Sequence, residues 1–454
     1  MPGAAIEPVQ ADPQALLALH AAWPERYPAL FESAAPGQPL GRYDILFAFP
    51  RARLTLCHDG VLVLPDGSTQ TGSFLDALDE SWLRERLPAE SRELPFTGGW
   101  LLFLGYALAG QIEPRLSLPR QTNGAIAQAI RIPAAVIHER ASAKSWIVAE
   151  AGCEALLAQI AEDLRNVTLP PRASVPLLET DVEEEDPGRF LEAVRRALDY
   201  ISAGDIYQAN LSRGWRATLR PGVPAHEVYR RLRETNPGPF SGIARIEDCV
   251  VISSSPERLV QVRDGIVATR PIAGTRPRGS DPAADVALAR ELYSHPKERA
   301  EHVMLIDLER NDLGRISQAG TVRVDEFMTI ESYAHVHHIV SNVSGRLRAG
   351  VTPGQVLAAV FPGGTITGCP KVRCMEIIAE LEGVPRGAYT GSLGYLNHDG
   401  TLDMNILIRS FELRGRELLV RAGAGIVADS VPERELEETR AKARGVLRAL
   451  SIES

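Results

Sequence analysis

A chain of 454 residues is long enough for two or three average domains or one large one. Hydrophobic residues make up 44% and charged residues 24%, the balance of a globular protein with a sizeable core. The net charge of −9 argues against a nucleic-acid partner, which asks for a basic face, and no apolar run reaches the roughly 18 residues that cross a bilayer.

The N-terminus, MPGAAIEPVQ, lacks the basic and apolar regions of a secretory signal, so the expected location is the cytoplasm. The five cysteines, Cys57, Cys153, Cys249, Cys369 and Cys374, contain no C-x-x-C spacing and fit reduced thiols. Short alternations bounded by turn residues predict strands in YDILFAFP, LTLCHDGVLVLPDGS, AAVIHER and SWIVAEA, with a helix over 73–86 among them. Residues 166–186, rich in Pro and acid and without periodicity, read as a linker between an N-terminal region over 1–165 and a C-terminal region over 187–454. Asp186 and Pro187 suit the N-cap and first position of a helix that carries Phe190, Val194, Leu198 and Ile201 on one stripe. Strands then alternate with helices. The strands are CVVISSS, LVQVRDGIVATR, HHIVSNVSGRL, GSLGYL, NILIRSFEL and ELLVRAGAG; helices run through PKERAEHVMLIDLERND, after Lys371, and through PERELEETRAKARGVL. Turn signals at 397–400 and 414–415 favour antiparallel pairing, so the expected fold class is α+β with large, mainly antiparallel sheets.

Two helical acid pairs stand out. Glu298 and Glu301, and Glu435 and Glu438, are each spaced three residues apart and so share one face of a helix, with Lys442 on the face of Glu435. If the two faces meet, four carboxylates converge and call for a cation between them, and hard oxygen ligands suit Mg²⁺. The interleaved Arg299, Arg434 and Arg440 equally suit two solvated faces.

Other motifs are weaker alone. FPGGTITGCPK, over 361–371, brings glycine backbone and threonine hydroxyls to a helix start, a natural anion site, but Pro370 lacks the N–H that a phosphate loop would use. GAGIVA at 423–428 matches a dinucleotide fingerprint, yet no helix opens there; its glycines are better used in offering N–H groups to a carboxylate. In His335-x-His337-His338, strand alternation puts His335 and His337 on one face and His338 on the other with Val336 and Val340, which makes His338 the inward one. A hydrogen-bonded core histidine fits as well as a functional one. Glu257 follows the strand run 250–254, where a desolvated carboxyl can act as a general acid; an ion pair with Arg258 is the commoner arrangement.

Taken in order, SPERL, RPIAGTRPRG, KERAEHVMLIDLERNDLGR, AHVHHIVSNVSG, FPGGTITGCPKVRCMEII, YTGSLGYL, ILIRSF, GAGIVADS and ELEETRAKA resemble the chorismate-utilising enzymes over about 185–450. FESAAPGQPLGRYDIL and LPFTGGWLLFLGYALA extend the resemblance to the first components of aminodeoxychorismate synthase and anthranilate synthase. The resemblance implies two large antiparallel sheets packed together and flanked by helices. It implies Mg²⁺ held closest by Glu301 and Glu438, with Glu298 and Glu435 nearby. Glu257 would protonate the leaving 4-hydroxyl of chorismate. Tyr395, Arg409, Lys442 and Thr367 would hold substrate, helped by backbone at Gly274, Thr275, Gly423, Ala424 and Gly425, and His338 would line the ring site. Gln208 stands where water-adding relatives carry a lysine base, so ammonia is the implied attacker. No glutaminase site is evident, which implies a separate glutamine amidotransferase subunit as ammonia source. Glu32, Ser33, Pro239, Phe240 and Ser241 resemble segments of a tryptophan-like pocket. Aminodeoxychorismate is the first expectation for the product. Ala273 stands where well-known aminodeoxychorismate synthases carry a lysine, which leaves anthranilate synthase as the alternative and a non-catalytic amino-acid sensor as a remote one.

Overall fold

The computed structural model describes residues 3–34, 41–88, 94–172, 176–279, 281–332 and 336–451. Among them the strands form two twelve-stranded sheets, and paired neighbours run antiparallel. His335 and part of the segment FESAAPGQPLGRYDIL lie outside the described residues, as does the middle of 166–186.

The first sheet runs Ala5–Val9, Lys144–Ala149, Ala134–Glu139, Tyr43–Ala48, Ala29–Glu32, Phe240–Ile246, Cys249–Ser255, Ser410–Arg414, Glu417–Ile426, Gln208–Thr218 and Glu183–Glu184, with Gly368–Cys369 also paired to Gln208–Thr218. In the second, Ile272–Pro277, Val336–Arg346, Ile266–Thr269, Arg258–Arg263, Leu402–Asn405 and Ser392–Asn397 continue into Gly99–Leu104, Ala125–Ile132 and Arg53–Cys57, ending in two short strands, with Arg323–Ser332 also paired to Val336–Arg346. Each sheet therefore mixes strands from before and after residues 166–186. One seam pairs Ser241 with Glu32, the other Tyr395 with Leu101.

Alternation explains how both faces are filled. Along Tyr43–Ala48, Ile45 and Phe47 enter the core between the sheets with Leu101, Phe103 and Leu393, whereas Leu46 and Ala48 face helices packed on the outside. Helix Phe74–Glu85, within the expected 73–86 and capped by Ser73, covers the outer face of the second sheet with Leu357 and Val360 of helix Pro353–Val360. Helix Pro187–Ser202 is capped by Asp186 and buries Phe190, Val194 and Ala197.

Two expectations change. NILIRSFEL is not one strand: Leu402–Asn405 lies in the second sheet and Ser410–Arg414 in the first, with Arg409 at φ +53° where the chain crosses. His337 is as buried as His338, because helix Pro282–Ser294 packs over that face and sets Asp285 Oδ1 2.9 Å from His337 Nε2.

Candidate active site

Two sheet-to-sheet crossovers build the centre of the site. The chain leaves the first sheet after Cys249–Ser255, passes through Pro256 and Glu257, and enters the second at Arg258–Arg263. It returns through 406–409, and the two crossovers are joined by Ile406 N–H donating to Glu257 O at 3.0 Å and Ser254 N–H to Arg409 O at 3.1 Å. Glu257 and Arg409 are thereby placed side by side between the sheets.

A cavity of about 860 Å³ opens here. Its wall includes Gln208, Ala273, Gly274, Thr275, Thr365, Arg409, Gly425 and Lys442, and all four acid-pair residues, Glu298, Glu301, Glu435 and Glu438. The two acidic faces do meet one space: helix Pro296–Gly314 brings one pair and helix Pro432–Leu447 the other. Part of their charge is answered within the chain. Arg276 Nη1 lies 3.1 Å from Glu298 Oε1, and Lys442 Nζ lies 2.7 Å from Glu438 Oε1. Among the described residues no three His, Cys, Asp or Glu side chains are grouped tightly enough to hold a metal ion as they stand. The donor set is nonetheless all hard carboxylate oxygen on the wall of a wide cavity, which suits a small divalent cation that keeps several of its waters.

Glu257 sits just behind the wall formed by Pro256, Ile272 and Thr365 and is 5% exposed. Burial pushes its carboxyl from 4.5 to about 7, against the opposing pull of Thr365, the Ile272 backbone, Arg409 and Lys442. Its Oε1 makes no hydrogen bond among the described residues. Desolvation of a nearly unsatisfied carboxyl thus outweighs two nearby cations. His338 is held neutral, its basicity lowered to about 3, first by burial and then by Arg409. Its Nδ1 lies 3.2 Å from Gly274 O, and a carbonyl can only accept, so Nδ1 carries the proton; Thr275 Oγ1 is 3.1 Å away.

Glycines fit where side chains crowd. A methyl group on Gly274, at φ +69°, would come within 2.8 Å of Glu298 Oε2. One on Gly425 would meet Gln208 Nε2 at 2.4 Å, and one on Gly423 would meet Tyr389 Oη at 2.6 Å. Lys442 Nζ donates to Gly423 O at 3.0 Å, linking this shelf to Glu438.

Several expected residues lie elsewhere. Thr367 is fully buried, and its hydroxyl donates back to Gly363 O at 2.9 Å; Thr365, two residues earlier, faces the cavity. Tyr395 packs between the sheets against Phe47 and Phe96, and the tyrosine beneath the glycine shelf is Tyr389. Ala424 is buried among Leu211, Ile377 and Leu436 and is not on the wall. Of the tryptophan-like set, Pro239 borders the main cavity. Glu32 accepts from Tyr229 Oη at 2.5 Å and from Arg233 Nη1 at 2.9 Å, Ser33 N–H donates to Asp44 Oδ1 at 2.9 Å, and Ser241 Oγ donates to Gly238 O at 3.0 Å. Phe240 lies under the Arg258 guanidinium. The chain's own groups take up those polar contacts. Tyr389, Thr365 and Arg276 all fall inside motifs that the sequence singles out, yet only the packing separates them from their neighbours.

Residues 40–448 match the model of the chorismate binding enzymes, and the chain belongs to that family. Within the family it is similar to two kinds of protein. It is 40% identical to aminodeoxychorismate synthase component 1 of Bacillus subtilis over 94% of this chain and 92% of that one. It is also 40% identical to an anthranilate synthase component I-like protein of Synechocystis over 93% and 86%. The crystal structure of anthranilate synthase component I from Streptococcus pneumoniae superposes with a TM-score of 0.81 at 34% identity, covering 90% of this chain and 93% of that one. Among the described residues no helix is long and apolar enough to cross a membrane, and all five cysteines are free thiols.

Proposed function

We propose that this chain is the first component of an aminodeoxychorismate synthase, which replaces the 4-hydroxyl of chorismate by an amino group from ammonia, on a route to p-aminobenzoate and folate. The observation that carries this reading is the buried Glu257, its carboxyl raised by burial to about 7, beside the cavity that also holds Arg409, Lys442 and both acid pairs. Arg409 and Lys442 bind substrate carboxylate, Arg409 through its planar fork. Glu257 gives its proton to the departing hydroxyl, which leaves as water. Gln208, an amide and no base, leaves ammonia as the attacking group. Neutral His338, with Thr275 and Gly274, borders the ring. Mg²⁺ would be held by Glu301 and Glu438 with Glu298 and Glu435 close by, and when bound it would anchor a carboxylate of the substrate. A separate glutamine amidotransferase subunit supplies the ammonia, so the isolated chain uses ammonium and not glutamine.

Ala273 favours a second reading. It lines the cavity where an attacking lysine amine would stand, and a methyl group forms no covalent adduct. The anthranilate route needs no such amine. Product analysis after incubation with chorismate, Mg²⁺ and ammonium decides between them: aminodeoxychorismate keeps its enolpyruvyl group, whereas anthranilate has lost it as pyruvate. Anthranilate alone would replace the first reading with the second. Activity is expected to vanish in EDTA, return with Mg²⁺, and be lost in Glu301→Gln and Glu438→Gln; full activity of both variants in EDTA would remove the metal from the reading.

A further inference from the structure

The cavity of about 860 Å³ extends past the groups that the proposed reaction uses. Beyond Lys442 its wall continues along helix Pro432–Leu447 to Arg444, Gly445 and Arg448, and takes in Asn236, Pro237, Gly238 and Pro239 from the loop after helix Ala225–Thr235. Helix and loop lie close here: a methyl group on Gly445 would stand 3.8 Å from Asn236 Oδ1. One helix therefore presents to one cavity, in chain order, the carboxylates of Glu435 and Glu438, the ammonium of Lys442 and the guanidinium groups of Arg444 and Arg448. At 1.5 Å of rise per residue, Arg444 stands about 3 Å and Arg448 about 9 Å further along the axis than Lys442.

Arg276 and Lys442, on the same wall, are engaged by carboxylates: Arg276 lies 3.0 Å from Glu291 and 3.1 Å from Glu298, and Lys442 lies 2.7 Å from Glu438. Arg440, one turn before Arg444, lies 2.8 Å from Glu184 and 2.7 Å from Glu437. Arg444 and Arg448 differ. Both are exposed, and among the described residues their side chains have no hydrogen bond, ion pair or ring contact. Arg448 N–H donates to Arg444 O, so the two stand one turn apart, where like charges repel and weaken a helix. A helix C-terminus welcomes a cation, yet that attraction asks for neither a second arginine nor a place on the cavity wall. The chain as a whole has a net charge of −9 and sets four carboxylates on this wall, so a substrate with two carboxylates is repelled as it approaches. Unpaired cations on the open rim reverse that field locally and concentrate an anion there. We infer that Arg444 and Arg448 form an outer anion subsite, which captures the dicarboxylate substrate and passes it inward to Arg409 and Lys442. The inference rests on the proposed function, because it takes chorismate as the anion. The pair acts through its charge and does not touch the reacting atoms.

The test is the dissociation constant of chorismate, measured by calorimetry with Mg²⁺ and without ammonium so that no amination intervenes. At an ionic strength of about 0.01 M, where charges act over about 30 Å, Arg444→Gln/Arg448→Gln should bind chorismate about tenfold more weakly than wild type. At about 1 M, where that range shrinks to about 3 Å, the two proteins should bind within about twofold of each other. Arg444→Lys/Arg448→Lys keeps the charge and should bind as wild type does. Arg165→Gln/Arg216→Gln removes two exposed arginines that do not line the cavity, and should shift binding by less than about twofold. With saturating chorismate and ammonium, kcat of the glutamine pair should match wild type. A tenfold loss that persists at high salt, an equal loss in the lysine pair or in the distant pair, or a matching fall in kcat overturns the subsite. A wild-type chain that binds no chorismate overturns the proposed function and the subsite with it. A wild type that binds, beside a glutamine pair that binds equally well at low salt, overturns the subsite alone.

Discussion

Glu257 and Glu382 are both buried glutamates, and their surroundings give them opposite characters. Glu382 accepts from Arg386 Nη2 at 2.6 Å and Nε at 3.0 Å, from Ser212 N–H at 2.8 Å and Oγ at 2.9 Å, and from Arg421 Nη2 at 3.3 Å. Burial pushes its carboxyl up, but Arg386 and Arg421 more than offset this and hold it below its usual range. Glu257 has one oxygen with no hydrogen bond among the described residues and titrates at about 7. The saturated carboxylate ties strand Gln208–Thr218 to the end of helix Lys371–Glu382 and has no spare bonding capacity for a reaction. The unsaturated one is free to exchange a proton.

The sharpest way to break this contrast is to neutralise each residue in turn. Glu257→Gln keeps the shape and removes the proton donor, so chorismate consumption should fall by roughly 10²- to 10⁴-fold while the protein stays folded. Circular dichroism and a steady-state assay on the same preparation check both halves. Glu382→Gln should do the reverse. It strands two guanidinium groups in the core, and a broken buried pair loses about 3–5 kcal/mol. Urea unfolding should show that loss, and what protein remains folded should retain its pH profile. A Glu382 variant with wild-type stability would show that the network is ornamental.

The same contrast predicts a dependence of stability on pH. The Glu257 carboxyl titrates at 4.5 when unfolded and at about 7 when folded. Below 4.5 both states hold the proton. Between 4.5 and 7 the unfolded chain releases it and the folded chain keeps it, so stability falls as pH rises. Above 7 the loss is complete, on the order of 3 kcal/mol for this group. Glu257→Gln, which does not titrate, should therefore gain stability relative to wild type as pH rises from 5 to 8. A constant difference across that range would mean that the carboxyl is not desolvated.

Much of the fold was legible because its signals are local. Asp186 announces a helix start through its side chain, the helix over 73–86 forms where its pattern places it, and the turns at 397–400 and 414–415 join neighbouring strands as expected. What was not legible comes from packing between distant segments. NILIRSFEL reads as one strand because nothing in its pattern marks the passage between sheets at Arg409. Tyr389 and Tyr395 sit six residues apart in one motif, and only the contact with Gly423 distinguishes the first. The acid pairs were legible as pairs; that Arg276 and Lys442 each claim one member was not.

The finest test of the contrast lies on the glycine shelf, where Gln208, like Glu257, has a buried oxygen without a hydrogen bond among the described residues. A methyl group on Gly425 would strike the far end of the Gln208 side chain at 2.4 Å, which can move. A methyl group on Gly423 would meet not only Tyr389 Oη but the Leu211 backbone oxygen at 2.8 Å, which is held in the sheet by its neighbours. Gly425→Ala should thus fold with nearly wild-type stability and, on the proposed reading, lose about tenfold in kcat/KM, because the displaced amide no longer borders the cavity on the side from which the proposed ammonia would attack. Gly423→Ala should lose stability first, by roughly 1–3 kcal/mol, since backbone must shift to admit the methyl group. Thermal unfolding and steady-state kinetics on the two variants separate the effects. If Gly425→Ala keeps full activity, Gln208 does not position the attacking group, and its unsatisfied oxygen is only a local packing defect.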